Sequence, residues 1–166
     1  PVSELVHTAG WLGRCAGMID AAASGRLLWA SLGVVDIDED GSDDLVVGAP
    51  SSNQVHCVGS LEGARSLEDS AQTYSGAGHF GWAIACGPGN IWVGAPLYGQ
   101  SQAGAVFRIQ VGKSAPEPME PWFEGEHPRG QMGCSLSTGH KEPWVGSPGD
   151  EKVPAQALCA YSRCFL

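Results

Sequence analysis

Asp36-Ile37-Asp38-Glu39-Asp40-Gly41-Ser42-Asp43-Asp44 runs directly into Leu45-Val46-Val47-Gly48-Ala49-Pro50. Counted from Asp36, side-chain carboxylates fall at positions 1, 3, 5 and 9 (Asp36, Asp38, Asp40 and Asp44), and Ser42 at position 7 can offer its carbonyl. Oxygen donors at that spacing can turn inward on one tight loop. They suit a hard cation such as Ca²⁺, which takes roughly 6–8 oxygens at about 2.3–2.6 Å. Gly41 stands at position 6, where the chain must turn sharply and a Cβ is expected to be in the way. A helix-flanked loop of the EF-hand kind needs a bidentate Glu at position 12, but Val47 stands there inside a β-branched run. The reading is therefore a Ca²⁺ loop between two strands, closed by Asp44. The alternative is a solvated acidic turn, because runs of like charge usually face water.

Outward from the loop, the segment that follows it repeats. Val46-Val47-Gly48-Ala49-Pro50 returns as Trp92-Val93-Gly94-Ala95-Pro96 and again as Trp144-Val145-Gly146-Ser147-Pro148, at offsets of 46 and 52 residues. A second element precedes the later two: Phe80-Gly81-Trp82-Ala83-Ile84-Ala85 and Met132-Gly133-Cys134-Ser135-Leu136-Ser137. Gly81 lies 13 residues before Gly94, and Gly133 lies 13 before Gly146. Periods of this size mark propeller blades and similar β units.

Each unit reads as short strands. Residues 80–86 and 132–138 alternate small and larger apolar groups, and residues 91–94 and 143–146 are short apolar runs. Pro50, Pro96 and Pro148 lack an N–H and end ladder pairing. Val55–Val58, Ala105–Val111 and Ala157–Tyr161 supply a third strand, and Gln72–Tyr74 and Trp122–Phe123 a fourth. About four short strands per unit fit a β-propeller blade. The fold class is all-β, a partial propeller of about three blades of short antiparallel strands, with units near residues 12–70, 71–120 and 121–166. Residues 18–32 have helical propensity where the first unit is irregular.

Composition agrees. The 166 residues are 43% apolar and 16% charged, with 24 Gly and 11 Pro, a globular, turn-rich chain. The net charge of −9 argues against nucleic acid as a partner. No apolar run approaches the ~20 residues of a membrane-spanning helix. The chain opens on Pro1, without Met or a signal-like segment, and reads as a fragment.

The other chemistry-bearing residues form no catalytic pattern. His7, His56, His79, His127 and His140 show no metal-ligand spacing, and each reads as a surface or turn residue. No G-x-S-x-G elbow is present. Of six cysteines, Cys57, Cys86 and Cys134 read as small buried strand residues, and Cys159 and Cys164 can close a small loop. Trp82, Trp92, Trp122 and Trp144 read as inter-blade packing, with a sugar-stacking surface as the alternative.

The Asp loop, the Phe-Gly element and the Gly-Ala-Pro element together resemble the FG-GAP repeat, the blade unit of integrin α-subunit propellers and of the C-terminal propeller of glycosylphosphatidylinositol-specific phospholipase D. The second is the closer likeness, through residues 121–125 and 130–140 and through its mixture of blades with and without the Asp loop. Here Gly87-Pro88-Gly89-Asn90 and Gly139-His140-Lys141-Glu142 stand where the loop is in the first unit, so one Ca²⁺ site is expected. Leu12-Gly13 resembles the Phe-Gly element of the first unit, which makes residues 18–32 an insertion. The resemblance implies a secreted, non-catalytic propeller segment whose enzymatic relative is a phosphodiester hydrolase with a separate zinc domain. Its implied partners are the remaining blades or catalytic domain of a longer protein, and a glycolipid-anchored or extracellular protein ligand. An integrin-α-like adhesion propeller is the alternative.

Overall fold

The computed structural model describes residues 5–9, 15–20, 31–59, 63–66, 70, 72–113, 119–138 and 142–149. Two four-stranded antiparallel sheets and the first hairpin of a third make up the repeated part. The first blade is β3 (Leu32–Val35), β4 (Asp44–Ala49), β5 (Gln54–Val58) and β7 (Gln72–Ser75), paired in that order. The second is β8 (Ala83–Gly87), β9 (Asn90–Ala95), β10 (Ala105–Gln110) and β11 (Phe123–Glu124), again in chain order. β12 (Ser135–Thr138) and β13 (Pro143–Gly146) are the corresponding hairpin of the third. A separate three-stranded sheet contains β1 (Leu5–Ala9), β2 (Cys15–Asp20) and β6 (Gly63–Ser66), with β1 antiparallel and β6 parallel to β2.

The strands fall close to the sequence reading: the apolar runs of the first two blades, β4 and β9, are buried on both faces, and that of the third, β13, on one. In β9, Ile91, Val93 and Ala95 join Val46, Val55 and Phe107 in the core between the first two blades, while Trp92 joins Val106, Met132 and Val145 between the second and third. Phe80 and Phe107 meet edge to face at 5.1 Å in the first of these cores. The helical expectation for 18–32 is corrected at both ends: Met18–Asp20 belong to β2 and Leu32 opens β3. Tertiary pairing overrides the weak helical preference of these residues. Leu12-Gly13 and Ala157–Tyr161 lie outside the described residues, as do Cys159, Cys164 and His140.

The two recurring elements meet in space, which explains their fixed interval. Within a blade, the Gly81 N–H donates to the Gly94 carbonyl at 3.2 Å, and Gly133 N–H to the Gly146 carbonyl at 3.1 Å. Between blades, a Cβ added to Gly94 would stand 2.0 Å from the Gly133 carbonyl oxygen, and one on Gly48 would stand 2.1 Å from that of Gly81. Backbone of one blade therefore rests on backbone of the next, and only glycine permits that approach. β3 lies against β8 and β8 against β12, so successive blades stack through their first strands.

In the first blade Ser31 occupies the register position of Ala83 and Ser135: the Gly48 N–H donates to the Ser31 carbonyl at 2.9 Å, while Ala83 pairs with Gly94 and Ser135 with Gly146. By sequence offset alone, Leu28-Trp29, which lie outside the described residues, correspond to Phe80-Gly81 and Met132-Gly133.

Three packing expectations are settled by burial. Trp92 is 3% exposed, but Trp82, Trp122 and Trp144 are 40%, 38% and 41% exposed, so of the four only Trp92 is core. His56 is not a surface or turn residue. It sits buried in β5, with Nδ1 3.2 Å from both Ser70 Oγ and Thr73 Oγ1. Cys57, Cys86 and Cys134 are free thiols; Cys57 is buried in β5 and Cys86 half-buried in β8, while Cys134 lies in the turn before β12. Burial pushes the Cys57 thiol up to about 12 and that of Cys86 up to about 11.

Candidate metal loop

The Asp-rich stretch is the hairpin connection between β3 and β4. Val35 pairs with Asp44, so residues 36–43 form the connection, whereas in the second blade Gly87 pairs with Asn90 across Pro88-Gly89 alone. The first blade thus carries an acidic loop where the second has a two-residue turn.

The loop is built by its own carboxylates. Asp36 Oδ1 accepts from the Asp40 N–H at 3.1 Å and its Oδ2 from the Gly41 N–H at 2.8 Å. Asp38 Oδ1 also accepts from the Asp40 N–H, at 3.2 Å, and Asp40 Oδ1 accepts from the Ser42 N–H at 2.7 Å. Asp side chains bonding to backbone two to five residues on replace the ladder with a turn, and so end β3 at Val35. Glu39 (φ 63°) and Gly41 (φ 88°) are left-handed. A Cβ on Gly41 would meet nothing within 4 Å, which corrects the expected clash: the position favours glycine for its backbone angle, not for space.

Carboxylate oxygens of Asp36, Asp38 and Asp40 lie within 4.8 Å of one another, with Asp38 and Asp40 exposed and Asp36 half-buried. Asp44 is not in that group. It is 3% exposed and its Oδ2 accepts from the Ile37 N–H at 2.9 Å, closing the base of the loop. Ser42 is exposed at the rim, next to Asp40. Three oxygen-only donors drawn together suit a hard cation and not a thiolate- or imidazole-preferring metal.

Sequence reading missed Ile37 and Gly112. Ile37 is 7% exposed and packs in the core between the first two blades. Its carbonyl accepts from the Gly112 N–H at 3.0 Å, in the segment after β10 of the second blade. An apolar residue between two aspartates was the available signal. Its partner, 75 residues away in sequence, had none.

Among the described residues no helix is long and apolar enough to cross a membrane. No curated protein matches the chain. The family described as FG-GAP repeat matches residues 28–65, a span that begins just before β3 and takes in the whole acidic hairpin, β4 and β5. The chain is therefore an all-β protein of blade-like antiparallel sheets whose first blade carries an FG-GAP repeat.

Proposed function

We propose that this chain is a Ca²⁺-binding, non-catalytic FG-GAP propeller segment of a secreted protein. The observation that carries the reading is the convergence of the Asp36, Asp38 and Asp40 carboxylates within 4.8 Å at the tip of one blade's hairpin. Asp36, Asp38, Asp40 and the carbonyl of Ser42 would hold the ion, with Asp44 closing the loop beneath them. The bound ion neutralises carboxylates that otherwise repel one another and fixes the connection between β3 and β4. FG-GAP repeats are typical of extracellular or surface proteins, where Ca²⁺ modules bind at roughly 10⁻⁴–10⁻³ M.

The larger protein is read as similar to glycosylphosphatidylinositol-specific phospholipase D, in which this segment supports the structure or positions a glycolipid-anchored substrate. The support is the mixture of hairpins: an acidic loop in the first blade and Pro88-Gly89 in the second. The FG-GAP match at residues 28–65 is equally a property of an integrin-α-like adhesion propeller, the second reading. Zinc-dependent phosphodiester hydrolysis by the longest natural product of the gene selects the first; a membrane-anchored product without it selects the second.

The metal reading is tested by isothermal titration of the chain with Ca²⁺ beside Asp40→Ala. One saturable site, lost in the variant, is the expected result. A parent chain with native circular dichroism and no binding heat across the millimolar range refutes it.

A further inference from the structure

Ile37 sits between Asp36 and Asp38, and both of its peptide groups are committed. Its N–H donates to Asp44 Oδ2 at 2.9 Å, within the loop. Its carbonyl accepts from the Gly112 N–H at 3.0 Å, across to the second blade. Its side chain is buried in the same apolar cluster as Ile91, Phe107 and Ile109 of that blade. Glu39, two residues on, makes a second approach: a Cβ added to Gly112 would lie 3.2 Å from its carboxyl carbon. Gly112 is itself anchored in its blade, since the Val111 N–H donates to the Gly89 carbonyl at 3.1 Å, in the tight turn that replaces the acidic loop.

We infer that Ile37 and Gly112 form a joint through which cation loading of the acidic loop and docking of the second blade on the first are one linked equilibrium. This rests on the metal reading proposed above. The linkage is geometric. Drawing Asp36 and Asp38 onto an ion fixes the peptide between them, which is the peptide that presents its carbonyl to Gly112. Conversely, a second blade seated on Ile37 holds that peptide where the flanking carboxylates already converge, which lowers the ordering cost of binding. Such coupling is reciprocal: whatever factor the ion adds to docking, docking adds to ion affinity. Gly112 contributes no ligand, so a change there reaches the ion through its bond to Ile37 or its contact with Glu39.

The test is amide hydrogen exchange on the full chain, in Ca²⁺ and in EDTA, read at Gly112 and at Gly104, whose N–H donates to the Tyr98 carbonyl in a different connection of the second blade. Ca²⁺ is expected to slow exchange at Gly112 by about three- to tenfold more than at Gly104, the worth of one hydrogen bond. Gly112→Pro removes the donor and also cannot keep the left-handed φ of 70° found there, so it is expected to weaken Ca²⁺ binding by at least that factor with the sheet content retained. Because exchange is read on the unmodified chain, a misfolded variant does not blunt the test. Saturable Ca²⁺ binding, lost in Asp40→Ala, with equal effects at Gly112 and Gly104 overturns the joint and leaves the metal reading standing. Absence of Ca²⁺ binding in the parent chain overturns both.

Discussion

The first and second blades share a strand order and a glycine contact, yet differ by eight residues against two in one hairpin. In both, the glycine of the Gly-Ala-Pro element supports backbone of the next blade: Gly48 under Gly81, Gly94 under Gly133. What is common lies where blades touch, and what varies lies at the hairpin tip. The difference teaches which positions the fold constrains. A contact between two backbones leaves no room for any side chain, whereas a hairpin tip tolerates insertion because its closure entropy grows slowly with length.

The comparison breaks first at the shared contact. Gly94→Val places a side chain where the Gly133 carbonyl oxygen already lies, 2.0 Å from an ideal Cβ. Neither backbone can yield without separating two blades. The cost lies at or above the upper end of overpacking, about 3 kcal/mol. The expected outcome is loss of the cooperative thermal transition by circular dichroism. A variant that melts within a few degrees of the parent shows that the contact is not a determinant of blade stacking.

Trp92→Ala comes next. This ring is 3% exposed, 4.7 Å from the Trp122 ring and under the Arg108 guanidinium at 6.0 Å. Truncating a buried aromatic of this kind costs about 3–5 kcal/mol. Denaturant unfolding is expected to show that loss.

The hairpin sharpens the comparison from the other side. Replacing residues 36–43 by Pro-Gly converts the acidic connection into the second blade's turn. The expected product folds, no longer binds Ca²⁺, and melts at one temperature with or without the ion. In the parent, Ca²⁺ at about ten times its dissociation constant contributes about 1.4 kcal/mol, a rise in melting temperature of roughly 3–6 °C for a chain of this size. Asp40→Ala removes that rise and leaves the Ca²⁺-free melting temperature no lower, since it also removes one of the converging carboxylates. A variant that is equally destabilised in EDTA would show the carboxylates acting as turn formers, through bonds such as Asp40 Oδ1 to the Ser42 N–H, and not as ligands.

How far the sequence leads is visible at particular residues. Val55–Val58 and Ala105–Val111 were legible as strands because each is a short apolar run between turn residues; they appear as β5 and β10 within a residue at each end. β3 was obscured at its start because residues 18–32 carry helical propensity, while Leu32–Val35 owe their conformation to pairing with Asp44–Val47, downstream of the loop. The acidic spacing identified the Asp36, Asp38 and Asp40 group, since local turn chemistry acts over a few residues. Ile37 and Gly112 were illegible for the opposite reason: their bond depends on how two blades stack, and no local pattern encodes it.

Trp144 carries the smallest expected effect and the most direct lesson about repeats. It stands where Trp92 stands in the second blade, two residues before the equivalent glycine. Strand alternation gives the two rings the same sense: Val145, like Val93, packs toward the preceding blade, so Trp144 and Gly146 belong to the opposite face. On the second blade that face is covered by Met132 and Val145 of the third. On the third, Trp144 remains 41% exposed and Ser135 and Ser137 are exposed beside it. Trp144→Ala is therefore expected to cost less than about 1 kcal/mol in denaturant unfolding, near the range of surface substitutions. The gap between Trp92→Ala and Trp144→Ala then measures what the covering blade and the Trp122 and Arg108 contacts together are worth to the ring. Equal costs at the two positions would mean that the third blade's outer face is already packed in solution.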